Sequence, residues 1–127
     1  MSQTILIVED NDRNRKLARD ILQFQGYRIL EAESAEAGIA LARAELPDLI
    51  LMDFHLPGMN GIEAFTQLRA DPRTSAIPVM AVTASAMTED RQRMLAAGFD
   101  GLQTKPINLK EFVAAVKDLL ARKGAAP

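Results

Sequence analysis

The chain has 127 residues, 48% of them hydrophobic and 5% aromatic, so one compact domain with an aliphatic core is expected. A net charge of -2 gives no field favouring nucleic acid or an anionic membrane, and the lack of cysteine excludes disulfides and thiolate metal sites. No apolar run approaches the roughly 20 residues a bilayer crossing needs, and Met1-Ser2-Gln3-Thr4 is no basic lead-in to a signal peptide, so a cytoplasmic protein without membrane insertion is expected.

Short apolar runs alternate with longer amphipathic segments. Ile5-Leu6-Ile7-Val8 is a β-branched strand that stops at Glu9-Asp10-Asn11. From Asp12 to Gln25, Leu17, Ile21, Leu22 and Phe24 recur near helical spacing, with Gly26 as the stop. Tyr27 to Glu31 reads as a second strand, and Ser34 caps a helix carrying Ile39, Leu41 and Ala42 that ends before Pro47. Leu49 to Met52 is continuously apolar, as in a strand buried on both faces, and it ends at Asp53. Gly61 to Ala70 offers Ile62, Phe65 and Leu68 as a third helix, broken by Asp71-Pro72. Val79 to Val82 is a fourth strand, followed by Thr83. Thr88 caps a helix that runs to Ala97 and stops at Gly98. Leu102 to Thr104 is a weak fifth strand, and Asn108 with Glu111 forms a capping box for a last helix through Arg122. Ala114 and Ala115 on that helix are read as close packing, and Arg91, Arg93, Lys110 and Lys117 as solvated faces. The expected fold is α/β, a doubly wound five-stranded parallel sheet with five helices over residues 1–122, followed by a short flexible tail at 123–127.

Open parallel sheets bind ligands beyond the carboxyl ends of their strands. Those ends carry Glu9 and Asp10, Asp53, Thr83, and Thr104 with Lys105. Two unit charges about 4 Å apart repel by roughly 4 kcal/mol at an effective dielectric near 20, so three carboxylates together need protons or a cation. An all-oxygen donor set suits a hard ion, and Mg²⁺ is the natural choice. A carboxylate beside such an ion is a competent nucleophile toward phosphorus, with Lys105 and the Thr83 hydroxyl placed to meet the transferring group.

Glu9-Asp10-Asn11, Leu51-Met52-Asp53, Leu56-Pro57-Gly58-Met59-Asn60-Gly61, Ala81-Val82-Thr83-Ala84 and Thr104-Lys105-Pro106 resemble, in order and spacing, the motifs of CheY-like receiver domains of response regulators. The resemblance runs from about Thr4 to Leu120. Val8-Glu9-Asp10-Asn11 followed by Asn14 is most similar to single-domain regulators of the DivK type, though receivers attached to hybrid histidine kinases share that wording. The resemblance implies the flavodoxin-like strand order 2-1-3-4-5. It implies Asp53 as phosphoacceptor, and Mg²⁺ held by Asp10, Asp53, Glu9 largely through water, and the backbone carbonyl of His55. Thr83, Ala84 and Lys105 would contact the phosphoryl group, and the Lys105-Pro106 bond is expected to be cis.

The implied partners are a histidine kinase or a histidine phosphotransfer protein upstream, and a protein effector downstream. Met1 and the short tail favour a complete protein, and with no DNA-binding module the output is expected to run through protein contact; a signalling switch, not a turnover enzyme, is expected. Leu102 departs from the family, which places a Tyr or Phe there to move with the threonine. His55 and Ser85 are expected at the pocket mouth, steering water toward the phosphorylated residue. A phosphorylation-independent pseudo-receiver is the alternative, and Leu102 favours it. An aspartate-nucleophile phosphatase would need a second acid where His55 stands.

Overall fold

The computed structural model describes residues 3–54, 56, 58–59, 61–83, 88–105 and 107–125, and for 88–90 and 122–125 the backbone alone. The elements run β1 (Thr4–Val8), α1 (Asp12–Phe24), β2 (Arg28–Ala32), α2 (Ala35–Glu45), β3 (Leu49–Asp53), α3 (Gly61–Ala70), β4 (Val79–Thr83), α4 (Thr88–Ala97), β5 (Gly101–Thr104) and α5 (Leu109–Ala125). All five strands are parallel, in the order β2-β1-β3-β4-β5. Fold class, strand order and helix number therefore agree with the sequence reading.

Alternation along the strands divides the core into two layers. Leu6, Val8, Ile50, Met52, Val79 and Ala81 face one side, against Ile39, Ala64, Phe65, Leu68 and Met94 of α2, α3 and α4. Ile5, Ile7, Leu49, Leu51, Met80 and Val82 face the other, against Leu22, Phe112 and Val116 of α1 and α5. The central strands β3 and β4 are buried along their whole length, which is why they read as unbroken apolar runs.

The caps follow local chemistry. Asn11, Ser34 and Asn108 accept hydrogen bonds from the amides of Asn14, Ala37 and Glu111 at 3.0, 3.1 and 3.1 Å. Gly26 and Gly98 end their helices in the left-handed region, at φ 95° and 104°. Leu46 takes that role after α2 at φ 49°, although its side chain carries a Cβ.

Several expectations need correction. Thr88 is the first residue of α4 rather than its cap, because the helix already includes it. α5 continues through Ala125, past Arg122, and includes Gly124. Ala115 packs on the core, but Ala114 is exposed on the outer face of α5 beside Ile21 and Phe24. Of the periodic residues of α1, Leu22 is buried, whereas Leu17 and Phe24 are 47% and 88% exposed. Ala18 takes the buried position instead. Arg91, Arg93, Lys110 and Lys117 are exposed as expected.

Candidate functional site

Strand register builds the site. Val8 pairs with Met52, so the next residues, Glu9 and Asp53, leave the sheet side by side. Asp53 in turn pairs with Val82, and Thr83 pairs with Thr104, which places Thr83 and Lys105 at the same edge. The amide of Lys105 donates to the carbonyl of Thr83 at 2.7 Å and closes that corner. The crevice lies where the chain leaves β1 and β3 in opposite directions, the position at which open α/β sheets take ligands.

Carboxylate oxygens of Glu9, Asp10 and Asp53 lie within 4.8 Å of one another. Glu9 and Asp53 are buried and Asp10 is exposed, so the cluster opens to solvent on one side. The Lys105 ammonium spans the two buried acids, 2.8 Å from Glu9 Oε1 and 3.3 Å from Asp53 Oδ2. Burial, reinforced by the hydrogen bond and charge of Asp53, pushes Glu9 up to about 7, against the lowering effect of Lys105 and the Asn11 amide. Burial pulls Lys105 down, but hydrogen bonding to Glu9 and the negative charge of both acids outweigh it, and its pKa is raised. A lysine acting as counter-ion to two buried oxygen donors marks a place with unmet demand for positive charge. The donor set is all oxygen, and it fits a hard divalent cation.

Thr83 is fully buried at the end of β4. Leu102 pairs with Ala81 and packs half-buried against the α2–α4 core layer, with no hydroxyl to offer. His55, Ala84, Ser85 and Pro106 lie outside the described residues.

The loop leaving Asp53 is closed by Gly61, at the start of α3. Gly58 has φ 80° and does serve a turn. Gly61 instead opens α3, donates to the Phe54 carbonyl at 3.2 Å, and lies so close that an added Cβ would sit 3.0 Å from Phe54 Cα. Gly61→Ala is therefore expected to destabilise the chain by about 1–3 kcal/mol through this backbone clash, read as a lower urea midpoint. An unchanged midpoint would mean that α3 shifts freely.

Sequence reasoning misses Arg15. Its guanidinium donates to the backbone carbonyl of Glu9 at 2.9 Å. A helix arginine shortly after the cap carries no local signal of such a contact, because the Glu9 carbonyl and the β2-end acids Glu31 and Glu33 come from outside its helix.

Residues 5–117 match the family model described as response regulator receiver domain. The polar-differentiation response regulator DivK of Brucella ovis is 40% identical over 120 residues, covering 94% of this chain and 98% of that protein. A response regulator receiver domain protein (CheY-like) from Methanospirillum hungatei superposes with a TM-score of 0.89 at 29% identity, covering 98% of both chains. The receiver domain of a sensor histidine kinase from Pseudomonas aeruginosa, solved with a magnesium ion coordinated in the active site cleft, gives 0.88 at 30% identity over 95% of this chain and 99% of that one. Matched along nearly its whole length in sequence and in strand order, the chain belongs to the response regulator receiver domain family.

Proposed function

We propose that this chain is a single-domain response regulator of a two-component phosphorelay, with residues 1–122 as the receiver and Asp53 as the phosphoacceptor. The observation that carries the reading is the triad of Glu9, Asp10 and Asp53 bridged by Lys105 at the switch point of the sheet. A carboxylate oxygen of Asp53 forms a bond to phosphorus as the nitrogen–phosphorus bond to a donor histidine breaks, and the electron pair returns to the imidazole. Glu9, Asp10 and Asp53, with the His55 carbonyl, would hold Mg²⁺, which supplies positive charge to the phosphoryl oxygens when bound. Lys105 leaves Glu9 and Asp53 to meet the same oxygens, Thr83 donates its hydroxyl, and the Ala84 backbone would border them. The donor is a histidine kinase or a histidine phosphotransfer protein, and the product state is read by a protein effector in the cytoplasm. The chain acts as a switch and turns over no metabolite.

Intact mass after incubation with acetyl phosphate and Mg²⁺ tests this. The expected result is a gain of one phosphoryl group, about 80 Da, abolished by EDTA and by Asp53→Asn. Leu102 favours a second reading, a binding module that works without phosphorylation. Folded protein that takes up neither phosphoryl nor a beryllofluoride complex at saturating Mg²⁺ would make that the better reading.

A further inference from the structure

The turn between β1 and α1 carries Glu9, which is buried, and Asp10, which is exposed. Three hydrogen bonds hold its backbone and the Glu9 side chain. The amide of Glu9 donates to the Ala32 carbonyl at 3.0 Å, and the Asn11 amide donates to Glu9 Oε2 at 3.3 Å. The Glu9 carbonyl, which belongs to the same peptide plane as the Asp10 amide, accepts from Arg15 Nη1 at 2.9 Å. The Arg15 side chain is only 13% exposed. Its remaining nitrogens face an acid of its own helix and two at the end of β2: Nη2 lies 2.6 Å from Asp12 and 3.3 Å from Glu33, and Nε lies 3.3 Å from Glu31.

A planar guanidinium can meet a carbonyl and several carboxylates at once, whereas an ammonium cannot. Asp12 and Glu33 are 84% and 75% exposed, so those ion pairs contribute little by themselves. Their effect is to orient the fork. The half-buried bond to the Glu9 carbonyl is the contact that matters for the pocket. It ties the peptide joining two of the three clustered acids to α1 and to the end of β2.

The geometry points to Arg15 as a positioning residue for the cation site, holding the Glu9–Asp10 peptide so that the exposed Asp10 carboxylate stands beside Glu9 and Asp53. This rests on the metal-binding reading of the triad. Arg15 touches neither the cation nor the phosphoryl group.

Electrostatics and positioning predict opposite signs here. Removing a positive charge near a cation site strengthens cation binding by simple Coulomb attraction. Losing the support of a ligand turn weakens it, typically by 10- to 100-fold for partners behind the ligands.

The test is a Mg²⁺ titration of the full chain without phosphodonor, followed by amide chemical shifts, which also report whether each variant is folded. Arg15→Ala is expected to weaken Mg²⁺ binding by about tenfold. Arg15→Lys keeps the charge, loses the fork, and is expected to weaken binding as well. It decides the matter if Arg15→Ala does not fold. Arg19→Ala removes the 3.3 Å pair to Glu31 but not the carbonyl contact, and should leave affinity unchanged or slightly tighter. Folded Arg15 variants that bind Mg²⁺ as well as the natural chain, or better, overturn the inference while leaving the metal site intact. A natural chain that takes up no Mg²⁺ removes both.

Discussion

Lys105→Ala is expected to bind Mg²⁺ more tightly than the natural chain and to accept phosphoryl groups on the order of 10²-fold more slowly. The two effects have one cause. The Lys105 ammonium lies 2.8 Å from Glu9 and 3.3 Å from Asp53, so a divalent cation must compete with it for the same oxygens. Without the lysine, the acids are left uncompensated and their demand for a cation rises, giving an affinity gain of roughly tenfold. The same ammonium is the side-chain cation placed to follow the phosphoryl oxygens, and removing one such donor typically lowers a rate by about 10²–10³. A chemical-shift titration gives the affinity, and the initial rate of mass gain gives the chemistry. Weaker Mg²⁺ binding in the variant would show that Lys105 supports the site instead of competing for it, and an undiminished rate would remove it from the reaction.

In EDTA, the chain is expected to lose stability as pH rises from about 4.5 toward 7, and Glu9→Gln is expected to abolish that slope. Glu9 keeps its proton up to about 7 in the folded state, against 4.5 as its ordinary value. Between those values the folded chain binds more protons than the unfolded one, so stability falls with rising pH. The contribution is fully present below pH 4.5 and lost as pH passes about 7. A raised pKa of this size corresponds to about 3 kcal/mol. Lys105 is raised from 10.5 and Asp71 lowered from 3.8, so neither titrates inside this window. Proton and cation compete for the Glu9 carboxylate, so added Mg²⁺ should stabilise the chain more at pH 8 than at pH 5. Urea midpoints across pH, with and without Mg²⁺, read both effects. Equal slopes for the natural chain and Glu9→Gln would place the proton elsewhere.

Much of the site is legible in the order of residues along the chain, and for a definite reason. Glu9, Asp10, Asp53 and Thr83 stand at the ends of apolar strands and Lys105 at the end of the weaker β5, and a parallel sheet aligns all such ends at one edge. The motifs then assign each residue a place. What escapes is whatever depends on how elements lean on one another. Arg15 reads in sequence as an ordinary polar residue of an amphipathic helix, and only the convergence of Glu9, Glu31 and Glu33 around it reveals its contact. Gly61 reads as the start of the third helix, but the sequence does not show why glycine stands there: the Phe54 backbone against which α3 begins leaves little room for a Cβ. Phe24 and Leu17 fall at helical spacing, but the helix rotates Ala18 and Leu22 into the core and leaves both larger residues outside.

The order of amino acids dictates the alternation of strands and helices, most of the helix caps and stops, and the set of oxygen donors available for a cation. These are consequences of periodicity and of side chains meeting backbone groups a few residues away, and they need no knowledge of distant chain. Packing in three dimensions is what puts Lys105 between Glu9 and Asp53, raises Glu9 to about 7 by burial beside Asp53, and sets Arg15 behind the turn that carries them. Those properties depend on charge separations of a few ångströms and on the exclusion of water, which neighbouring strands and helices impose only after they pack.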